Sequence, residues 1–168
     1  VKSVSESREM LTQAIESTRT LMSDLRPALL YDLGLEAAVE ALLENMVKWQ
    51  EDISPVFEDD KQPKPLDSQA LILFYRSVNE LLMNIVKHAQ ASEVKVSMQK
   101  EGNMLSVVVE DDGVGFDATK MLKEAGEPGH FGLFSIRERM RILDGKLEVE
   151  SEANKGTRIT LLAPLSDQ

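Results

Sequence analysis

Residues 78–89 decide how the rest of the chain is interpreted, and they read Val78-Asn79-Glu80-Leu81-Leu82-Met83-Asn84-Ile85-Val86-Lys87-His88-Ala89. The apolar residues recur at helical spacing, so this stretch is predicted to be a helix with one face in a core. Four polar residues follow the spacing i, i+4, i+7 and i+8 and are predicted to share another face: Glu80, Asn84, Lys87 and His88. Such a set suits a metal ion and an anion. Taken alone, a solvated polar face is the commoner explanation, so the other motifs must decide.

The composition is that of a soluble globular domain. The 168 residues are 42% hydrophobic and 29% charged, which allows a sizeable core. The net charge of −10 argues against a nucleic-acid binder, because a phosphate backbone requires a basic surface, but it leaves a nucleotide possible. The absence of cysteine excludes disulfides, thiolate catalysis and zinc–thiolate sites.

The N-terminal part is predicted to be a long helix over residues 3–25, because a seam repeats every seven residues at Val4, Leu11, Thr18 and Leu25. Pro27 interrupts this helix, and residues 27–34 form a connector that closes at Gly34. The helix either packs on its own domain or joins an intermolecular bundle. We favour the bundle, because the helix precedes the compact part, and we expect the chain to be a piece of a longer protein.

The compact part alternates helices and short strands. The predicted elements are a helix over residues 35–50, an edge strand over 53–57, a helix from Asp67 or Ser68 to Gln90, a hairpin over 93–100 and 105–110, a helix over 133–143 that ends with Gly145 in the left-handed conformation, and strands over 146–151 and 157–163. The helices are too few to cover both faces of a sheet. This predicts an α+β fold, a two-layer α/β sandwich with helices on one face.

Two glycine-containing segments lie at the beginning and the end of the long loop over residues 111–131. The first is Asp111-Asp112-Gly113-Val114-Gly115-Phe116, directly after a strand, where a carboxylate in a dry pocket can accept from an exocyclic amine and the glycines let the backbone approach a ligand. The second is Gly129-His130-Phe131-Gly132-Leu133, which opens a helix whose free amides suit phosphate oxygens. Each alone is weak, since an Asp-Gly turn and a flexible loop before a helix are common. Neither is a P-loop or the dinucleotide fingerprint.

These segments are followed by Gly156-Thr157 at the start of the last strand. In this order they make the chain resemble the ATP-binding domain of bacterial sensor histidine kinases, in the superfamily shared with gyrase B, Hsp90 and MutL. Four motifs resemble the subfamily of NarX, DesK and VraS: Asp24-Leu25-Arg26-Pro27, Asp32-Leu33-Gly34-Leu35, Lys87-His88-Ala89 and Ser135-Ile136-Arg137-Glu138-Arg139. The resemblance covers nearly all of residues 8–164.

The resemblance implies a fold and a division into domains. The fold would be the GHKL (Bergerat) ATP-binding fold with a mixed sheet. Residues 1–26 would be the truncated second helix of a dimerisation and phosphotransfer bundle, residues 27–34 the connector, and residues 35–168 the ATP-binding catalytic domain.

The resemblance also implies residue roles at the phosphate end of an ATP site. Asn84 would coordinate the Mg²⁺ ion that bridges the phosphates, and Glu80 would lie in the metal shell or act as a base. Lys87 and His88 would approach the phosphates or ribose. Residues 117–131 would form the ATP lid, and the following residues would close on the phosphates: Gly129, His130, Phe131, Gly132 and Leu133.

At the adenine end, the resemblance implies that Asp111 accepts from the amino group of the base. Gly113 and Gly115, with Phe116, would admit the base, and Thr157 would support the pocket through water. One departure is Asp112, which stands where many kinases have Asn.

The function implied is the ATP-binding catalytic domain of a two-component sensor histidine kinase. It would serve transfer of the γ-phosphoryl group to a His and then to a LuxR-type response regulator. The alternatives are an anti-sigma serine kinase of the same fold and a non-catalytic nucleotide-binding dimerisation scaffold. The two histidines, His88 and His130, match ATP-site positions, so we expect the chain to bind ATP with Mg²⁺ without phosphorylating itself. The parent would be a homodimer anchored in the inner membrane with this domain in the cytoplasm, and no nucleic acid would bind.

Overall fold

A computed structural model describes residues 27–50, 52–119 and 131–166. Its elements are α1 (Pro27–Trp49), β1 (Ser54–Asp59), α2 (Ser68–Asn84), a π-helical turn (Ile85–Ala89), β2 (Glu93–Glu101), β3 (Met104–Asp111), α3 (Phe131–Ile142), β4 (Lys146–Ser151) and β5 (Thr157–Pro164). This order agrees with the predicted order from residue 35 onward. The helix predicted over residues 3–25, and with it the proposed bundle segment, lies outside the described residues. Among the described helices, none combines the length and apolarity needed to cross a membrane.

The predicted connector over residues 27–34 is itself helical. Gly34, which has φ 88° and is not helical, separates it from the helix that was predicted to begin at Leu35, so α1 contains two helical segments joined at a kink. Proline is well suited to a first helical turn, because its missing N–H would have no partner there and its φ is already helical. The apolar residues of the predicted connector explain the rest, since Leu30 is buried in the core.

The five strands form one sheet in the order β1-β2-β3-β5-β4. β1 runs parallel to β2, and the remaining neighbours are antiparallel, so the sheet is mixed. Pro55 lies in β1 at the edge of the sheet, where a missing N–H costs no central ladder bond. The predicted hairpin between β2 and β3 is present, and Gly102 supplies the positive φ of 63° that its turn requires.

One face of the sheet packs against the helices and forms the core. Along β2 the buried core residues are Val94, Val96 and Met98, and on β3 they are Leu105, Val107 and Val109. This alternation arises because successive strand residues point to opposite faces. The helices contribute Phe74 and Val78 from α2 and Ile136 and Met140 from α3. The predicted two-layer sandwich with helices on one face is confirmed for the described residues.

The end of α3 differs from the prediction. Asp144, with φ 52°, occupies the left-handed position that was predicted for Gly145. Asp tolerates this conformation better than most residues that carry a side chain. Gly145 is needed for another reason, because a Cβ atom there would lie 2.1 Å from the carbonyl oxygen of Leu162 in β5.

An ionic cluster follows the end of β1 and is defined by Asp59, Asp60 and Lys64. The Lys64 ammonium is 1% exposed and lies 2.6 Å from Oδ1 of Asp60, and it also contacts Asp59. The backbone N–H of Lys100, in β2, donates to Oδ2 of Asp60 at 2.7 Å. This N–H and the Lys64 ammonium together lower the pKa of Asp60 to about 2. The cluster therefore joins the end of β1 to β2.

Candidate functional site

A cavity of about 320 Å³ opens between α2, α3 and the ends of β3 and β5. Eight predicted site residues line it: Asn84, His88, Asp111, Gly115, Phe116, Gly132, Leu133 and Thr157. Its apolar lining, which was not predicted, is Leu81, Ile85, Ala89, Val109, Val114 and Ile159. An apolar cavity with a few polar groups has the general form of a small-molecule site.

Six predicted site residues are not among those that line the cavity. Glu80, Lys87 and Gly113 are described but do not line the cavity. Gly129 and His130 lie outside the described residues, and so does the side chain of Phe131, whose backbone begins α3.

The helix that carries the opening motif changes character at Asn84. Asp67 caps its start by accepting from the N–H of Ala70 at 2.7 Å, as predicted. The α-helix predicted to reach Gln90 ends at Asn84 and continues as the π-helical turn. A π-helix closes its hydrogen bonds over five residues instead of four, so α-helical spacing no longer describes which side chains share a face. This explains why His88 lines the cavity with Asn84 while Lys87 does not.

The π-helical turn is fixed to the first glycine segment. The N–H of Val114 donates to the carbonyl oxygen of Ala89 at 2.8 Å. A Cβ atom on Gly113 would lie 2.3 Å from that oxygen, so any larger residue would push the two segments apart. The close approach that the glycines permit is therefore to protein backbone: Gly113 meets Ala89, and Gly115, at φ 57°, meets the carbonyl oxygen of Glu152.

Asp111 ends β3 inside the cavity and is half-buried. Its Oδ1 accepts from the N–H of Gly113 at 2.9 Å. Burial raises the pKa of the carboxyl group, and the nearby Asp112 charge adds to the rise, while hydrogen bonds from Gly113 and Thr157 oppose it. No lysine or arginine within the described ranges forms an ion pair with Asp111. A buried carboxylate with acceptor capacity to spare suits an uncharged N–H donor.

Ser151 supports two lining residues at this end of the cavity without lining it itself, and sequence reasoning missed it. Its hydroxyl accepts from the N–H of Phe116 at 2.9 Å, donates to the carbonyl oxygen of Gly156 at 3.0 Å, and lies 3.1 Å from the hydroxyl of Thr157. Ser151 and Thr157 are paired across the β4–β5 ladder. The available signal was that these two hydroxyl residues end and begin the strands predicted over 146–151 and 157–163.

The neighbouring Asp112 has a structural set of partners. Its Oδ1 accepts from the N–H groups of Ser92 and Glu93, each at 2.8 Å, and its Oδ2 accepts from the hydroxyl of Ser92. These hydrogen bonds, led by the Ser92 hydroxyl, lower the pKa of Asp112. Asp112 thus ties the segment after β3 to the start of β2 and does not line the cavity.

Glu80 lies one helical turn before Asn84 and forms an ion pair with α3. Nη1 of Arg139 donates to Oε2 of Glu80 at 2.6 Å. The other carboxylate oxygen faces the start of α3, since a Cβ atom on Gly132 would lie 3.3 Å from Oε1 of Glu80 and 3.4 Å from Nδ2 of Asn84. The carboxylate, the amide and the first turn of α3 therefore meet at one place.

A metal ion would need oxygen atoms from a ligand at this place. No group of three or more His, Cys, Asp or Glu side chains within the described ranges is arranged to hold a metal. Asn84 and Glu80 offer only hard oxygen donors from the protein. This fits Mg²⁺, which is often held by one or two protein oxygens together with phosphates and water.

Residues 70–167 match a family model described as histidine kinase-, DNA gyrase B-, and HSP90-like ATPase. The chain is 36% identical over 151 residues to the sensor histidine kinase ComP of Bacillus subtilis, which covers 88% of this chain and 19% of ComP. It is 33% identical over 158 residues to the oxygen sensor histidine kinase NreB of Staphylococcus carnosus, covering 94% of this chain and 44% of NreB. The chain thus spans less than half the length of these curated relatives.

The fold is similar to a solved structure, the histidine kinase domain of the blue-light activated histidine kinase EL346 from Erythrobacter litoralis. The two align with a TM-score of 0.63 at 21% identity, over 78% of this chain and 61% of that one. The chain therefore belongs to the histidine kinase-, DNA gyrase B- and HSP90-like ATPases, and it contains the ATP-binding catalytic domain of a sensor histidine kinase.

Proposed function

We propose that this domain binds Mg-ATP in the cavity and presents the γ-phosphoryl group to a histidine elsewhere in the parent protein. One observation carries the proposal. A single cavity joins a half-buried carboxylate, Asp111, to an amide, Asn84, and to the first turn of α3. These groups suit the three parts of the ligand, which are a base with an N–H donor, a metal ion and an anionic phosphate chain.

At the adenine end, Asp111 accepts from the exocyclic amino group of the base. Thr157 supports this carboxylate with its hydroxyl, and Ser151 holds Thr157 and the backbone of Phe116 in place. Gly113 and Gly115 keep the loop close to its neighbours and leave the cavity open for the base. The base is thus recognised by a half-buried carboxylate, for which fewer water molecules compete than for an exposed one.

At the phosphate end, Asn84 is the protein ligand of Mg²⁺, and Glu80 belongs to the metal shell or acts as a base. The backbone amides at the start of α3, at Gly132 and Leu133, bind phosphate oxygens, because a helix N-terminus favours negative charge. Lys87 and His88, at the end of the π-helical turn, approach the phosphates or ribose. Gly129, His130 and Phe131 precede or begin α3 and close on the phosphates.

The bound Mg²⁺ would neutralise phosphate charge. Phosphoryl transfer depends mainly on positioning and charge neutralisation, so the residues of this chain act by binding and orienting ATP. Neither histidine is assigned as the acceptor, because His88 lines the cavity and His130 lies next to the start of α3. The chain alone is therefore expected to bind Mg-ATP without labelling itself.

The parent protein would pass the phosphoryl group to an aspartate of a LuxR-type response regulator. It would be a homodimer through a helical bundle that includes residues 1–26, and it would be anchored in the inner membrane. These proposals rest on the resemblance to the NarX, DesK and VraS subfamily and on the names of the relatives.

Calorimetry with Mg-ATP and incubation with γ-labelled ATP test the proposal on the same preparation. We expect saturable binding that weakens when Mg²⁺ is removed, a thermal shift, and no stable label on the chain. A ligand at 100 times its dissociation constant stabilises a protein by about 2.7 kcal/mol, so the shift is readily measured. Absence of binding would refute the proposed function, and stable label on this chain would place an acceptor within it.

A further inference from the structure

We propose that Arg139 is a positioning residue of the ATP site, which acts by holding and neutralising the carboxylate of Glu80 next to the phosphate end. This inference rests on the proposed function of the cavity and deepens it. Arg139 does not line the cavity. It acts through Glu80, with which it forms the ion pair between α2 and α3.

The ion pair is partly shielded from water. The side chains of Arg139 and Glu80 are 22% and 28% exposed, and their atoms are 2.6 Å apart. A charge-assisted hydrogen bond at this distance is stronger than a neutral one. Such a pair holds its two helices in register.

The pair also determines which oxygen of Glu80 is available. Arg139 occupies Oε2, so the oxygen left on the side of Gly132 and Asn84 is Oε1. Gly132 leaves room for this arrangement, because a Cβ atom there would crowd the carboxylate of Glu80 at 3.3 Å and the amide of Asn84 at 3.4 Å. Glu80 is thus aimed at the first turn of α3, where the phosphates are proposed to bind.

The other arginines of α3 have different partners. Arg141 donates to Glu138 within α3 at 3.1 Å, and its side chain is 71% exposed. Arg137 lies over the ring of Phe134 with its guanidinium carbon 5.4 Å from the ring centre. Among the arginines within the described part of α3, Arg139 alone forms an ion pair with α2.

A carboxylate beside a triphosphate repels it unless a cation compensates the charge. Without Mg²⁺, Arg139 is the compensating cation for Glu80. With Mg²⁺ bound, the metal ion supplies part of that compensation. The loss of Arg139 should therefore weaken ATP binding more in the absence of Mg²⁺ than in its presence, which a purely structural contact would not do.

The test is a set of ATP titrations of the full chain in EDTA and in Mg²⁺, with variants Arg139→Gln, Arg141→Gln and Glu80→Gln and the double variant. Arg139→Gln is expected to lower the affinity for ATP about tenfold in EDTA, which is about 1.4 kcal/mol, and about threefold in Mg²⁺. The matched control Arg141→Gln is expected to change neither by more than about twofold. In the Glu80→Gln background, Arg139→Gln removes only the uncompensated Arg139 charge, so its loss of ATP affinity in EDTA should shrink from about tenfold to about threefold.

An equal loss of affinity in EDTA and Mg²⁺, or the same loss in the Glu80→Gln background, would overturn the inference. If Arg139→Gln fails to fold, Glu80→Gln still tests the inference. This variant leaves the Arg139 charge uncompensated and should raise the affinity for ATP in EDTA about threefold. An unchanged affinity would then contradict the inference. Failure of the unmodified chain to bind ATP would instead refute the proposed function.

Discussion

Asp60 and Asp111 are carboxylates at opposite ends of the sheet, and their pKa values are shifted in opposite directions. Asp60 follows β1, where the N–H of Lys100 and the Lys64 ammonium lower its pKa to about 2. Asp111 ends β3, where burial raises its pKa and no cation within the described residues pairs with it. The first carboxylate stabilises the fold through its partners. The second keeps acceptor capacity at a cost to stability, which is expected of a group that is held ready for a ligand.

The largest effect should come from removing the cation of the ionic cluster. Lys64→Met leaves Asp59 and Asp60 without their shielded partner, and breaking a buried ion pair from one side costs about 3 kcal/mol. Urea unfolding should therefore show a markedly lower midpoint. The matched control is Lys61→Met, because Lys61 also contacts Asp59, at 3.3 Å, but its side chain is 83% exposed. Equal losses in the two variants would show that shielding does not distinguish these lysines.

The next effect should separate function from stability at Asp111. Asp111→Asn turns a carboxylate into an amide with a donor facing the base, and a lost hydrogen bond to a charged group costs about 2 kcal/mol, or about 30-fold in ATP affinity. Urea unfolding at neutral pH should show equal or higher stability, because the charge that burial disfavours is gone. Asp112→Asn is the control and should bind ATP nearly as the unmodified chain does. A destabilised Asp111→Asn variant would contradict the comparison.

The acid response should follow the depressed pKa of Asp60. Because this pKa is lower in the folded state, its stabilising contribution is full above the unfolded pKa of about 3.9 and is lost as the pH falls toward 2. We expect about 1–2 kcal/mol to disappear in this window, measured by urea unfolding at each pH. The Asp60→Asn variant should show a flatter profile. Asp111 acts with the opposite sign, since its raised pKa makes the folded state bind a proton more readily as the pH falls.

The smallest effect should come from Ser151→Ala at the adenine end. The N–H of Phe116 and the hydroxyl of Thr157 lose a common partner, and one such hydrogen bond contributes about 1 kcal/mol, or about fivefold in ATP affinity. Ser77→Ala is the control, because the hydroxyl of Ser77 donates to the carbonyl oxygen of Leu73 within α2, away from the adenine end. Calorimetry should show weaker binding only for the first variant. Equal affinities would remove Ser151 from the proposed support of the pocket.

Most of the fold could be predicted because its signals are local. Val94, Val96 and Met98 alternate with polar residues, and this period of two indicates a strand whichever neighbour it pairs with. Asp67 or Ser68 was expected to cap α2 from its position before an apolar helix, and Asp67 is the residue that does so. The helical conformation of the connector from Pro27 was missed because proline was interpreted as ending a helix, although the same residue also begins one.

The site was predicted less completely because its geometry depends on contacts between distant segments. The ion pair of Glu80 and Arg139 joins residues 59 positions apart, which no local pattern reveals. The glycine spacing suggested approach to a ligand, whereas Gly113 is required by the carbonyl oxygen of Ala89. The roles of these residues in binding remain predictions that the variants above address.

The π-helical turn over Ile85–Ala89 has a consequence for how the length of this segment can vary. A π-helix accommodates one residue more per closed hydrogen-bonded ring than an α-helix does. Deleting one residue here would allow the segment to continue as a regular α-helix. The carbonyl oxygen of Ala89 would then no longer reach the N–H of Val114. The length of this segment, and not only its residue types, is therefore a constraint on related chains, and an alignment gap within it should signal an altered site.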